Sequence, residues 1–145
     1  MRALLQRVSR GKVSVEGKSI AEIGHGFVIL LGVGEGDGKE EIDYLTKKIA
    51  QLRVFEDEQG KMNLSVLDVG GEAIVVSQFT LYADTRKGRR PSFVRAAQPE
   101  IASPLVDEFV DALSAQGVKT QSGAFGANML VEIDNDGPVT IWLEK

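Results

Sequence analysis

Cysteine is absent from the 145 residues, and histidine occurs once, at position 25. The first absence removes disulfides, thiolate metal sites and cysteine nucleophiles together. The second leaves a Ser-His-Asp or metallo-hydrolase site only His25 to build on, and that residue sits between Gly24 and Gly26 in a turn-like context. A zinc site without cysteine would need three or more carboxylates, which suits zinc poorly. Any catalysis is therefore expected to proceed without imidazole or zinc, and neither a metal nor another cofactor is expected. Aromatic residues are sparse at 6%, too few to interleave with basic residues as a base-stacking surface does. No apolar run approaches the ~18 residues needed to span a bilayer. The opening segment MRALLQRVSRGKVSVEG alternates and has no basic stretch followed by an apolar one, so the expected location is the cytoplasm.

What is present is ordinary in bulk and uneven in detail. At 145 residues the chain has the size of one domain, able to bury roughly 68–70% of its unfolded surface. The net charge of −4 argues against nucleic-acid binding driven by overall charge. Between Glu35 and Glu58 there are eight acids against four bases. Between Asp84 and Arg95 there are five bases, among them Arg86, Lys87, Arg89 and Arg90, against one acid. Such a strip is either a solvated loop or a device that steers a polyanion to one place.

The first thirty-odd residues read as strands. Val13 and Val15 alternate with polar neighbours, Ile20 and Ile23 flank a second strand, and Phe27 to Leu31 is a buried-strand run. Gly11, Gly17 and Gly24-His25-Gly26 punctuate them at the spacing of an antiparallel meander. Ile42, Leu45, Ile49 and Leu52 recur at helical spacing and predict a helix from about Lys39 to Leu52. Gln59-Gly60 and Gly70-Gly71 predict turns. The strand Ala73-Ile74-Val75-Val76 then delivers Ser77-Gln78-Phe79-Thr80 at its end. Pro104 suits the start of a second helix that carries Leu105, Phe109 and Leu113 and ends at Gly117. Two strands, Met129 to Ile133 and Val139 to Leu143, are expected to join at Asn135-Asp136-Gly137-Pro138. With no repeat or linker, residues 1–145 form one α+β domain: a mostly antiparallel, barrel-like β core with two packed helices.

The glycine-rich stretch Gly32 to Lys39 fails as a phosphate loop. Val33 stands where the first Walker glycine belongs, Glu40 replaces the hydroxyl, and Asp37 occupies the third glycine of a dinucleotide motif. Ser77-Gln78-Phe79-Thr80 is more informative, because hydroxyls, a carboxamide and backbone N–H groups at a strand mouth can stabilise an oxyanion at an ester carbonyl. Gly137-Pro138 is the second constellation. Glycine admits close approach by a ligand, and a cis bond is a reasonable expectation in a tight X-Pro turn. Taken singly, each motif also fits an ordinary strand end or turn.

The strings SQFTLYADTRKGRRPSF, NDGPVTIWL, RVFEDEQGKMNLSV and MRALLQRVSRGKVSVEG together resemble the D-aminoacyl-tRNA deacylase family over essentially the whole chain. The resemblance implies a cytosolic homodimer that hydrolyses the ester joining a D-amino acid to tRNA, and that also removes mischarged glycine. It implies a pocket formed by Ser77, Gln78, Phe79 and Thr80 on one side and by a cis Gly137-Pro138 from the facing subunit on the other. Phe125 and Met129 fall in a stretch that would line the adenosine pocket. Asn128, where the family often has an acid, receives no role.

A rigid backbone wall at the direction of an L side chain would reject every L-residue, yet admit D-residues and glycine. For the chemical step, Thr80 as nucleophile would need a base, and none is identifiable. The alternative uses the ribose hydroxyl beside the ester to assist a water, with N–H groups near Phe79 and Thr80 holding the oxyanion. Arg86, Lys87, Arg89 and Arg90 would meet acceptor-end phosphates. Two rival readings stay open on sequence: a non-enzymatic RNA-binding module, and a hydrolase of another small ester or amide.

Overall fold

The computed structural model describes residues 1–145. Strand β1 (Arg2–Val15) is the organising element, because its length gives it three partners. Its second half pairs antiparallel with β2 (Lys18–Ile23), its first half with β3 (Gly26–Gly32), and almost all of it with the last strand, β8 (Leu130–Glu144). The expected meander is thus rearranged: β3 returns to β1 and does not pair with β2.

Helix α1 (Lys39–Gln51) and the small hairpin β4 (Phe55–Glu56) and β5 (Met62–Leu64) lead to β6 (Glu72–Ser77), which lies parallel to β3. A parallel pair needs such a crossover. Helix α2 (Pro99–Ala115) makes the second one, to a short strand β7 (Lys119–Ser122) parallel to β6 that the sequence reading did not anticipate. Its alternation is polar and it buries little, so periodicity gave no signal. A side chain all but closes the sheet. Gln121 Nε2 donates to the Glu22 carbonyl at 2.7 Å, and the Glu22 N–H donates back to Gln121 Oε1 at 3.1 Å.

Both helices cover one face of the sheet. Ile42, Leu45 and Ile49 of α1 and Val106, Phe109 and Leu113 of α2 join Phe27, Ile29 and Leu31 of β3 in the larger core. The intervening Val28 faces the other way, with Val8, Val13, Ile74 and Val76 in a smaller core. β3 is therefore buried on both faces, which is why it reads as an unbroken apolar run. In α1 the carboxylate of Glu41 accepts the Gly38 N–H at 2.9 Å, and that bond holds its pKa below the usual carboxylate range.

Two boundaries differ from expectation. Helix α2 begins at Pro99, five residues before Pro104. Pro99 takes the first helical position, where a missing N–H costs nothing. Pro104 lies exposed inside the helix, so the Glu100 carbonyl it leaves without an intrahelical donor can turn to water.

The second correction matters more. The two strands expected at Met129 to Ile133 and Val139 to Leu143 are not arms of a hairpin but parts of one strand, Leu130–Glu144, and Asn135 to Pro138 belongs to a bulge within it. Between Gln6 and Val8 of β1, the partner residue on β8 moves from Thr140 to Asn135. Extra residues on one strand are what a bulge is. The Asn135 side chain bridges the gap: its Oδ1 accepts the Val139 N–H at 2.8 Å, and its Nδ2 donates to the Val139 carbonyl at 3.3 Å and to Gln6 Oε1.

Candidate active site

At the C-terminal end of β6 the chain turns through Gln78 into a short 3-10 turn, Phe79–Tyr82. The Gln78 N–H donates to the Leu31 carbonyl at 2.7 Å, so the turn leaves the sheet from a fixed point. The N–H groups that open a helical turn have no partner inside it. Those of Phe79 and Thr80 are placed this way, whereas the Leu81 N–H is used by the Gln78 carbonyl at 3.2 Å. Gln78 Nε2 donates to Thr80 Oγ1, so the hydroxyl accepts from the carboxamide and its own proton points elsewhere.

Beside this turn lies a cavity of about 580 Å³. Ser77, Gln78 and Phe79 form one edge, the first turns of α2 with Ala102 and Val106 form a wall, and Phe125 and Met129 close the far side. Gly123 makes room for Met129, since a Cβ there would stand 2.7 Å from its sulfur. Of the 19 lining residues, 13 are hydrophobic and none is charged; the polar ones are Ser77, Gln78, Gln98 and Asn128. Nothing in the lining titrates near neutral pH, so no side chain there can act as a general base.

The cavity thus brings together Ser77, Gln78, Phe79, Phe125 and Met129. Thr80 lies next to it on the turn, exposed. Phe93 and the α2 wall escaped the sequence reading. Ala102 and Val106 have the spacing of core residues and carry no chemical signature. Phe93 ends the SQFT-to-PSF string, and that was its only signal. It meets Phe79 edge-on, with centroids 4.9 Å apart and planes at 71°.

The basic residues occupy a loop on the same rim. Asp84 and Ser92 exchange backbone hydrogen bonds at 2.8 and 2.9 Å, pinching its neck. Arg86 folds back on Asp84 through Nε at 2.9 Å and Nη2 at 2.6 Å, and this guanidinium holds the Asp84 carboxyl far below its usual pKa. Lys87, Arg89 and Arg90 are exposed at the tip.

Gly137-Pro138 lies elsewhere. Its peptide bond is cis, Gly137 has φ +126°, and both residues are exposed on the β8 bulge opposite Arg7. Arg7 aligns through Phe27 with Ala73, four residues before Ser77 on β6. Counted along the sheet, three strand spacings of about 4.8 Å and four residues of about 3.3 Å separate the two motifs by roughly 20 Å within one chain. Arg7 is 3% exposed and donates to the carbonyls of Asp136 and Val54, at 3.1 and 2.7 Å. His25 is remote from the cavity: it is exposed and packs edge-on against Phe55. The Gly32–Lys39 loop binds its own acids, as the Gly34 N–H donates to Asp37 Oδ2 at 2.6 Å. No group of three or more His, Asp or Glu side chains could hold a metal ion, and no helix is long and apolar enough to cross a membrane.

An apolar cavity edged by hydroxyl, carboxamide and backbone N–H groups, without an ionisable side chain in its lining, belongs to the class of sites that can hold and position a ligand but supply no side-chain acid or base. The family model described as D-Tyr-tRNA(Tyr) deacylase matches residues 4–144, and the chain belongs to this family of enzymes. A D-aminoacyl-tRNA deacylase of Thermomicrobium roseum is 59% identical over 145 residues, 100% of this chain and 94% of the relative. One of Thermosipho africanus is 56% identical over 145 residues, 100% of this chain and 97% of the relative. A solved structure named c-Myc DNA Unwinding Element Binding Protein superposes with a TM-score of 0.93 at 43% identity, covering 100% of this chain and 99% of that one.

Proposed function

We propose that residues 1–145 form a single catalytic domain that hydrolyses the ester between a D-amino acid and the 3′ end of tRNA, and clears glycine mischarged on tRNA as well. Family membership supports the deacylation. The uncharged lining of the cavity supports the mechanism, and it is the observation that carries this reading. With no side-chain base at hand, the ribose hydroxyl next to the ester assists a water in attacking the carbonyl carbon. The N–H groups of Phe79 and Thr80 receive the oxyanion. The C–O bond to the ribose then breaks, its oxygen takes a proton, and the free amino acid leaves.

Phe125 and Met129 hold the terminal adenosine. Lys87, Arg89 and Arg90 meet phosphates of the acceptor end, with Arg86 bracing their loop. The enzyme works in the cytoplasm, where tRNA is charged. Its site is completed by a second copy of the chain. The separation of roughly 20 Å along the sheet between Ser77 and Gly137-Pro138 supports this, as does the cavity lining, which contains neither Gly137 nor Pro138 of the same chain. Across the dimer, Gly137-Pro138 stands where an L side chain would point and excludes it.

The test is deacylation of tRNA charged with a D-amino acid, the matching L-amino acid, and glycine. Release from the first and third with the second left intact is the expected result. Equal release from D- and L-charged tRNA would remove the filter, and no release from any would remove the deacylase reading.

A further inference from the structure

The turn that carries Phe79 and Thr80 is gripped from behind by a cluster that the proposed chemistry does not otherwise use. Arg2, at the start of β1, donates from Nη1 to the Leu81 carbonyl at 2.9 Å and from Nε to Glu144 Oε1 at 2.9 Å. Its Cζ lies 4.2 Å from the centroid of the Tyr82 ring and 5.6 Å from that of Trp142. The guanidinium is largely buried and holds the Glu144 carboxyl below its usual pKa.

Tyr82 in turn is 6% exposed and wedged between glycines. A Cβ on Gly34 would come within 2.5 Å of its Oη, and one on Gly32 within 3.2 Å of its ring. The far end of the four-residue turn is therefore fixed at two points, a carbonyl and a ring, and Arg2 meets both. Only a planar guanidinium can donate in two directions while lying flat on an aromatic face.

We propose that Arg2 is a positioning residue for the deacylation, fixing where Phe79 and Thr80 stand at the cavity edge by tying Leu81 and Tyr82 to β1 and β8. This rests on the reading of Ser77 to Thr80 as the carbonyl cradle. A group displaced by a fraction of an ångström from the reacting carbonyl lowers the rate of the chemical step and leaves binding of the long tRNA almost untouched.

The test is single-turnover deacylation of D-aminoacyl-tRNA by the full chain over a range of enzyme concentrations, with folding checked by a thermal melt. Arg2→Met is expected to slow the saturating rate about tenfold while the half-saturating concentration shifts less than about twofold. Arg2→Lys, which can reach the Leu81 carbonyl but cannot lie flat on Tyr82, should recover part of the rate. A folded Arg2→Met with the wild-type rate, or with its whole loss in half-saturation, overturns the proposal. Should that variant not fold, Glu144→Gln removes the carboxylate that aims Nε and is expected to cost about threefold in rate; no loss there overturns it equally. Phe79→Pro keeps the two readings apart, because it removes one N–H of the cradle at the first position of the turn, where proline is tolerated. If it retains the wild-type rate, the cradle fails and the role of Arg2 with it. If it loses activity while Arg2→Met does not, Arg2 alone is excluded.

Discussion

Arg7 donates from Nε to the carbonyl oxygen of Asp136 at 3.1 Å, holding the β8 bulge from its buried side. The same guanidinium donates from Nη1 to the Val54 carbonyl at 2.7 Å, so one side chain joins the bulge to the segment that follows α1. The carboxylates of Asp136 and Glu56 stand 3.6 and 3.8 Å away, half-exposed, and offset the buried charge. Arg7→Met keeps most of the volume and removes the donors. The Val54 carbonyl then loses its partner in the interior, at a cost of about 1–3 kcal/mol. Each kcal/mol should lower Tm by about 2–4 °C at this chain length. An unchanged melting temperature would show that the bulge holds itself.

Gly137 has φ +126°, and a Cβ there would lie 2.8 Å from Val139 Cγ2 and 3.1 Å from Arg7 Nη2. Gly137→Val should therefore deform the bulge and abolish deacylation of D-charged tRNA. It also tests the shared site. Chains carrying Gly137→Val and chains carrying Phe79→Pro, which removes the Phe79 N–H at the first position of its turn, each expected to be inactive alone, are refolded together. Half of the resulting dimers pair unlike chains, and each of those has one intact site of two, so about a quarter of wild-type activity should return. No recovery would place both motifs' roles within one chain.

Thr80 is the natural suspect for a nucleophile, yet its Oγ1 already accepts from the Gln78 carboxamide, and no base lies within the cavity lining. Thr80→Val should retain deacylation to within about tenfold, because an activated nucleophile needs a partner base that is missing here. Its single-turnover rate decides the matter. A collapse to the uncatalysed rate would restore Thr80 as the attacking group and end the RNA-assisted scheme.

Much of this was legible in the sequence, for identifiable reasons. Helix α1 announced itself because Ile42, Leu45 and Ile49 fall on one face. The Ser77 to Thr80 segment stood out as polar residues ending a β-branched run. The bulge did not, because Asn-Asp-Gly-Pro is also what a hairpin turn looks like. Only the length of β1 and its pairing through Gln6 and Val8 show that β8 runs on past it. The cavity wall from α2 was hidden for a different reason. Ala102 and Val106 belong to the core and to the cavity at once, and periodicity cannot tell a packed face from one left open. Charge counting had the same limit with Arg86, whose partner Asp84 lies two residues away and takes it out of the pool of free cations.

That pairing separates the basic loop into two kinds of residue. Arg89→Ala and Arg90→Ala should each weaken tRNA binding and flatten the slope of log K against log salt, by about one unit for each phosphate no longer neutralised. Preference for D over L should not change. Arg86→Ala frees Asp84 and loosens the neck of the loop, so its effect should fall on binding of the whole acceptor end, with no clean one-unit change in slope. Identical salt slopes for wild type, Arg89→Ala and Arg90→Ala would reduce the loop to solvated surface.

Tyr82 supplies a pH signature for the cluster behind the site. Burial, and then the neighbouring Asp37 carboxylate, disfavour its phenolate, so the folded chain keeps the phenol proton well above the ordinary tyrosine range. Unfolded tyrosine loses that proton near pH ~10. Between these two values the folded state binds one proton more than the unfolded state, and stability falls as pH rises. The contribution is complete below pH ~10 and is lost progressively above it. Tyr82→Phe keeps the ring under Arg2, removes the titrating group, and gives up only a 3.4 Å hydrogen bond to Asp37. Urea midpoints taken from pH 8 to about pH 11 should therefore converge, with wild type losing stability more steeply above pH ~10 than Tyr82→Phe. Parallel curves would mean that the phenol titrates alike in both states, and that the pocket between Gly32, Gly34 and Arg2 opens before the hydroxyl gives up its proton.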